Sequence, residues 1–371
     1  MKKDTEKSNT KKDEIKIPKT KIQKLKLKHK KLYIIVGALV LVLFALFILT
    51  DTKDKKDNNP TTAKSTTTKK LEEKKEVKIV NLNSKTRPYA VMINNVSTAR
   101  PLQSGLQDAY IIYEIIVEGG ITRYLALFQD VNTERIGSIR SARHYYLDYA
   151  LENDAIYVHH GNSPQAKSDF SKLNIDRIEV NTSSTGWRDK TLKVSSEHTL
   201  FTSIEKLQKG LKNKRTERNK ELLLNYSADE IKLNEIEGSI SATTIKIPYS
   251  SNTTTSYTYN ANEKVYYRFV NNKEHTDYVT KKQYTAKNII TYKVKNYTLD
   301  DVENKGRQGL ENIGSGTGYY ISNGYAVKIN WKKDCRECQT VYTYTNGKEI
   351  NVNDGNTFIQ IQPINKDLTI E

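Results

Sequence analysis

The apolar positions fall into three regimes along the chain. From Leu32 to Leu49 they are continuous, eighteen residues without a charge. At about 1.5 Å of rise per residue, a helix of that length spans roughly 27 Å, close to a hydrocarbon core. A run that is apolar on every face suits lipid better than a globular surface. It ends in Thr50-Asp51-Thr52-Lys53, which offers no small-residue cleavage site, and no cysteine lies nearby to carry a lipid. The pattern predicts an uncleaved signal-anchor helix over 32–50. Residues 51–85 are mostly Lys, Thr, Asp and Asn, the composition of a disordered linker.

The second regime begins near 86. Pro88 to Asn94 reads as a buried strand, and Tyr110–Val117 with Ile121–Gln129 as a hairpin across Gly119-Gly120. A helix is expected over 142–151, capped by Ser141, then a strand at 155–160, a short helix at 164–173 and a strand at 175–180. A Lys-rich amphipathic helix is expected over 199–214. In the third regime, from about 240, only short β-type runs recur. Turn chemistry at Asn323-Gly324, Asn346-Gly347 and Asp354-Gly355 punctuates them. Gly314-Ser-Gly316-Thr-Gly318 reads as a flexible turn. The expected class is α+β: an N-terminal mixed α/β domain over 86–238 and a C-terminal mostly-β domain over 239–371.

Charge adds an address. The chain carries a formal +17, nine of it on residues 1–31, which hold 13 Lys and 4 acids. Positive charge beside the anchor keeps that tail cytoplasmic and places 51–371 outside the cell membrane. No nucleic-acid partner is expected of this topology.

Charge also draws attention to arginine. Residues 86–166 contain no lysine but six arginines: Arg87, Arg100, Arg123, Arg135, Arg140 and Arg143. A guanidinium offers a flat fork that grips a carboxylate or phosphate with two bonds, which an ammonium cannot. The same window holds eight acids, so its net charge is −2. Two readings follow: a structural ion-pair lattice, or a site where charges converge.

The spacing carries a family resemblance. Glu114-x-x-x-Glu118-Gly-Gly-Ile-Thr-Arg123 and Ile136-Gly-Ser-Ile-Arg140-Ser-Ala-Arg143 resemble the YerB-like family of Gram-positive envelope proteins. Trp187-Arg188-Asp189, His198-Thr-Leu-Phe-Thr202, His275-Thr-Asp277, Gly314-Ser-Gly316 and Trp331-Lys-Lys fit further motifs in order. The likeness runs from about Arg87 to Pro363. It implies two outer domains and an envelope address, but no established activity. Members are usually lipoproteins; this chain has the apolar run instead.

Each chemical motif has two readings. Glu114 and Glu118, four apart in an extended strand, share a face with Arg123 across the hairpin. They form an acid/base pair held by arginine, or a cross-strand ion pair. Arg140 and Arg143 at a helix start form an anion receptor with Arg123 and Arg188, or pair with neighbouring acids. His159-His160-Gly-Asn-Ser163 lacks the G-x-S-x-G elbow of a nucleophile. His198 is the better functional histidine. Cys335-Arg-Glu-Cys338 lies between strands, as a local disulfide or free thiols.

The reading favoured by the sequence is a membrane-anchored extracytoplasmic protein. It would bind an anionic cell-wall polymer, lipid-linked precursor or envelope protein through Arg123, Arg140, Arg143 and Arg188. The rival is an envelope hydrolase or phosphotransferase using Glu114, Glu118 and His198. Neither a cofactor nor a metal is expected.

Overall fold

The computed structural model describes residues 75–300 and 302–371. The apolar run, the cytoplasmic tail and most of the linker lie outside the described residues. Among the described residues, no helix is long and apolar enough to cross a membrane.

A twelve-stranded mixed sheet organises the chain. The ten strands along its main path are β1 Tyr89–Asn94, β2 Ile111–Ile116, β3 Thr122–Phe128, β4 Ile156–His159, β5 Arg177–Glu179, β6 Ile240–Ser241, β7 Asn288–Thr298, β8 Gly314–Ser322, β9 Tyr325–Lys333 and β10 Thr357–Pro363. Their spatial order is β6-β9-β8-β7-β10-β2-β3-β1-β4-β5. Strands from 86–238 and from 239–371 therefore share one sheet. β10 joins the two sets, lying parallel to both β2 and β7. β1, β4 and β5 are also mutually parallel, so their C-terminal ends share an edge.

Both faces of the central strands are covered. On β2, Ile111, Tyr113 and Ile115 pack into one core, while Ile112 and Ile116 pack into another. That double burial explains why β2 reads as an unbroken apolar run rather than an alternation. Helices α1 His144–Glu152 and α2 Pro164–Lys172 contribute Tyr145, Tyr146, Tyr149 and Phe170 to the first core. The second core lies against a six-stranded sheet that includes Thr244–Pro248, Thr254–Asn260 and Val265–Val270 and supplies Ile247, Tyr257 and Tyr266.

The protein is mostly β with few helices, so the helical share of 86–238 is smaller than expected. The helix expected over 199–214 is the strand Leu200–Thr202 followed by one short helix, α3 Ile204–Gln208. Leu200 and Phe201 are buried and pair with Trp187-Arg188. Ser203 then starts the helix, its Oγ accepting from the Lys206 N–H. Ser141 does not cap α1; Arg143 holds that position without a side-chain cap. The glycine run expected as a turn opens β8 instead. A Cβ on Gly316 would sit 2.8 Å from Trp331 Nε1, so glycine lets the indole lie across the strand.

Candidate functional site

The arginines of the lysine-free window divide by what they touch. Arg123 begins β3 opposite Asn94 of β1. The chain enters β3 through the turn Glu118–Gly120, where Gly119 takes φ +69°, a conformation that favours glycine. This turn carries Glu118 to Arg143, which donates to it from Nε and, at 3.0 Å, from Nη2. Arg123 Nη2 lies 3.6 Å from the same carboxylate, and its Nη1 donates to the Ser141 carbonyl at 2.6 Å. Burial disfavours the Glu118 charge, but the Arg143 and Arg123 cations outweigh it and hold the carboxyl below its ordinary range. Burial, and then the charge of Arg143, pushes Arg123 down to about 10, leaving it cationic at neutral pH. Arg87 is sealed against Asp154 and Asp176. Arg135 stacks on Phe201 at 3.6 Å and pairs with Asp189 at 3.0 Å. Arg100 donates from Nε and Nη2 to Asn95. These five act as internal braces.

Arg140 is placed differently. Its backbone is stitched between β1 and β4: its N–H donates to the Met92 carbonyl, and its carbonyl accepts from His160 N–H. The side chain stands at the C-terminal ends of the parallel strands, the usual location of ligand sites in such sheets. Nη2 meets Glu197 at 2.8 Å, and the Arg140 side chain keeps 24% exposure against 51% for Glu197. Arg188 approaches the same place from the strand Trp187–Arg188. It donates to the Ser196 carbonyl, and its Nη2 lies 3.3 Å from His160 Nε2. His160 donates from Nδ1 to the Val180 carbonyl, so the nitrogen facing Arg188 is the acceptor. Arg140 and Arg188 thus converge on the short turn Ser196–His198.

His198 closes that turn and is tied to the interior by hydrogen bonds whose directions are fixed. Arg268 can only donate, so His275 Nδ1 accepts from it and His275 Nε2–H donates to Gln103 Oε1. Gln103 Nε2 then donates to the Asn94 carbonyl. Asn94 Oδ1 accepts from Val96 N–H, leaving its Nδ2 to donate to His198 Nδ1 at 3.0 Å. His198 therefore carries its proton on Nε2, toward Thr98 Oγ1 at 3.2 Å. Burial lowers its pKa, the Glu197 charge opposes that, and Arg140 adds to the lowering. His275 is held neutral by full burial and the cations of Arg268 and Arg100.

Glu114 belongs to the inner end of this network. β2 stops at Ile116, so Glu114 and Glu118 do not share a strand face. Glu114 points into the second core and accepts from Arg268 at 2.6 Å, Thr122 at 2.7 Å and Thr255 at 3.0 Å. Both members of the Glu114–Arg268 pair are completely buried. The sequence reading missed Arg268. Its signal was an arginine at an inward position of an alternating strand, between Tyr266 and Val270. His159 and His160 diverge: His159 donates to the Gly161 carbonyl and accepts from Arg177, whereas His160 meets Arg188. Cys335 and Cys338 form a disulfide. Among the described residues no cluster of three or more His, Cys, Asp or Glu could hold a metal. Surface hollows of about 630, 670 and 740 Å³ lie elsewhere, and none is lined by Arg123, Arg140, Arg143 or Arg188.

A mostly-β sheet protein with a braced arginine edge is the class that fold and geometry define. Its sequence matches the family described as "Protein of unknown function (DUF3048)", the N-terminal domain at residues 76–217 and the C-terminal domain at 245–359. The protein named "Putative lipoprotein YerB" from Bacillus subtilis (strain 168) is 30% identical over 323 residues, covering 85% of this chain and 89% of that one. The crystal structure of YerB from Bacillus subtilis superposes with a TM-score of 0.66 at 28% identity, covering 77% of this chain and 94% of that one. The chain belongs to this family, in agreement with the resemblance carried by its motifs.

Proposed function

We propose that this is a membrane-held envelope protein that captures an anionic group of a cell-wall polymer, lipid-linked precursor or envelope protein at the Arg140–Arg188 edge. The apolar run Leu32–Leu49 and the lipoprotein name of the Bacillus subtilis relative support the address. The observation that carries the binding reading is the state of Arg140. Among the described residues its Nη1 finds no hydrogen-bond partner, and unlike the buried Nε it reaches solvent. Its one counter-charge, Glu197, is half-exposed on a short turn and can swing away. Among the described residues Arg123, Arg140, Arg143 and Arg188 meet two carboxylates, Glu118 and Glu197, which leaves the edge net positive. Arg123 and Arg143 hold the edge in place from behind and do not reach a ligand.

The acid/base reading has less support. Glu114 is sealed in the interior within its ion pair, out of reach of a substrate, and Glu118 is held ionised by two arginines, so Glu118 is not poised to donate a proton near neutrality. The test is a thermal-shift titration of the full-length chain in detergent with inorganic pyrophosphate and with citrate. The wild type is expected to gain stability, Arg140→Ala to lose the gain, and Glu197→Gln to bind more tightly. No shift in the wild type, or an equal shift in Arg140→Ala, would overturn the proposal.

A further inference from the structure

The cysteine pair is used by nothing described so far. Cys335 and Cys338 are the only cysteines of the chain, and both are half-buried rather than enclosed. They sit in the loop between β9 and the strand Val341–Tyr344, pressed against α1. We infer that this pair is a thiol–disulfide exchange site acting on a dithiol or disulfide of another protein, with Cys335 as the reacting sulfur.

Two observations carry this. The first is that the loop is held without help from its own S–S bond. Arg336 reaches Asp148 at 2.7 Å, Asp169 at 2.8 Å and the His144 carbonyl at 3.1 Å. Lys333 Nζ joins Glu152 at 2.8 Å to the Cys338 carbonyl. Lys220 Nζ joins the Leu151 carbonyl at 2.9 Å to the Glu337 carbonyl. Opening the disulfide leaves every one of these contacts in place, so the sulfurs stay close and the loop cycles without unfolding. A ring this short also removes little entropy from the unfolded chain, which makes a purely stabilising role the weaker use of the bond. The second observation is that the Cys338 N–H points at Cys335 Sγ, 3.0 Å away. That donor favours a thiolate on Cys335.

The exchange balances. A partner thiolate attacks Cys335 Sγ; the S–S bond breaks and its electron pair leaves on Cys338 Sγ. The partner's second thiolate attacks the partner sulfur of the mixed disulfide and releases Cys335 as the thiolate bonded by the Cys338 N–H. The partner dithiol is oxidised by two electrons, Cys335 and Cys338 are reduced, and the partner's two thiol protons end on the released thiols or in solvent. Reversal reduces a partner disulfide.

The experiment uses the full-length chain in detergent. In Cys338→Ser, Cys335 is expected to react with iodoacetamide near pH 6 about tenfold faster than glutathione, an ordinary thiol, because its thiolate persists there. Cys338 in Cys335→Ser is expected to gain no such advantage. The wild-type disulfide is expected to open in millimolar glutathione while the thermal midpoint shifts by only a few degrees. Wild type reduced with dithiothreitol and alkylated briefly gives the same answer without a variant, since mass spectrometry should find Cys335 modified first. Cys335 reacting no faster than glutathione would overturn the inference. So would a disulfide that stays closed in millimolar glutathione.

Discussion

Removing the charge of Glu114 should destabilise the protein more than any surface substitution. Glu114→Gln keeps the shape but leaves Arg268 fully buried beside an amide, with only Tyr257, His275 and Thr255 as its other partners and no second carboxylate among the described residues. Breaking one side of such a buried pair costs about 3–5 kcal/mol, because the remaining cation has lost its solvent and its partner. The amide also turns a donor toward Arg268 or the Thr255 hydroxyl, both of which now donate to Glu114. With a urea slope of about 3 kcal/mol/M for a chain of this size, the midpoint should fall by roughly 1–1.7 M. Both tryptophans, Trp187 and Trp331, lie in the folded part, so their fluorescence follows the transition in the full-length chain. The double variant Glu114→Gln, Arg268→Met removes both charges and should recover much of the loss. A Glu114→Gln midpoint within about 0.3 M of wild type, or a double variant at the sum of its parts, would refute the reasoning.

Three further outcomes follow from the same geometry. Burial pushes His159 down to about 4 from 6.5, so its contribution is present above about 6.5 and is lost as pH falls toward 4. That shift corresponds to about 3 kcal/mol. Asp148, pushed up to about 6 by burial, acts in the opposite sense over the same window, so the imidazole's part is read as the difference between wild type and His159→Gln in urea midpoints from pH 4 to 7. Arg140→Ala should raise the His198 pKa and Glu197→Gln should lower it, because the first removes a nearby cation and the second an anion; NMR titration of the imidazole reads both signs. Deleting residues 32–49 should move the protein from the membrane to the soluble fraction on cell fractionation.

Local patterns were legible in the sequence and long-range partners were not. The hairpin of β2 and β3 showed itself in β-branched and aromatic runs on either side of Gly119-Gly120. The short helix expected at 164–173 is present at 164–172, where Ser163 Oγ accepts from Ala166 N–H. The helix expected over 199–214 failed because the burial of Leu200 and Phe201 against Gly137 and Trp187 outweighs the helical preference of the lysines beyond. The arginine signal was real, but its meaning was mixed. Five of the six were recruited as braces, and only their partners, 89 residues away for Arg87 and Asp176 and 128 for Arg87 and the Arg215 carbonyl, decide that. The network from Glu114 to His198 was out of reach, since Arg268 lies 154 positions from the acid it neutralises. No local pattern encodes such a separation.

The placement of β10 has a consequence for how the protein is made. Because Thr357–Pro363 slots between Ile111–Ile115 and the start of β7, the chain from Ile111 through Pro363 must leave the ribosome before the sheet can close. Until then two long apolar borders stand open to any other extended chain. A nascent molecule stalled before Thr357 would be a template for aggregation, so synthesis of this protein should depend on something that shields those borders until β10 arrives.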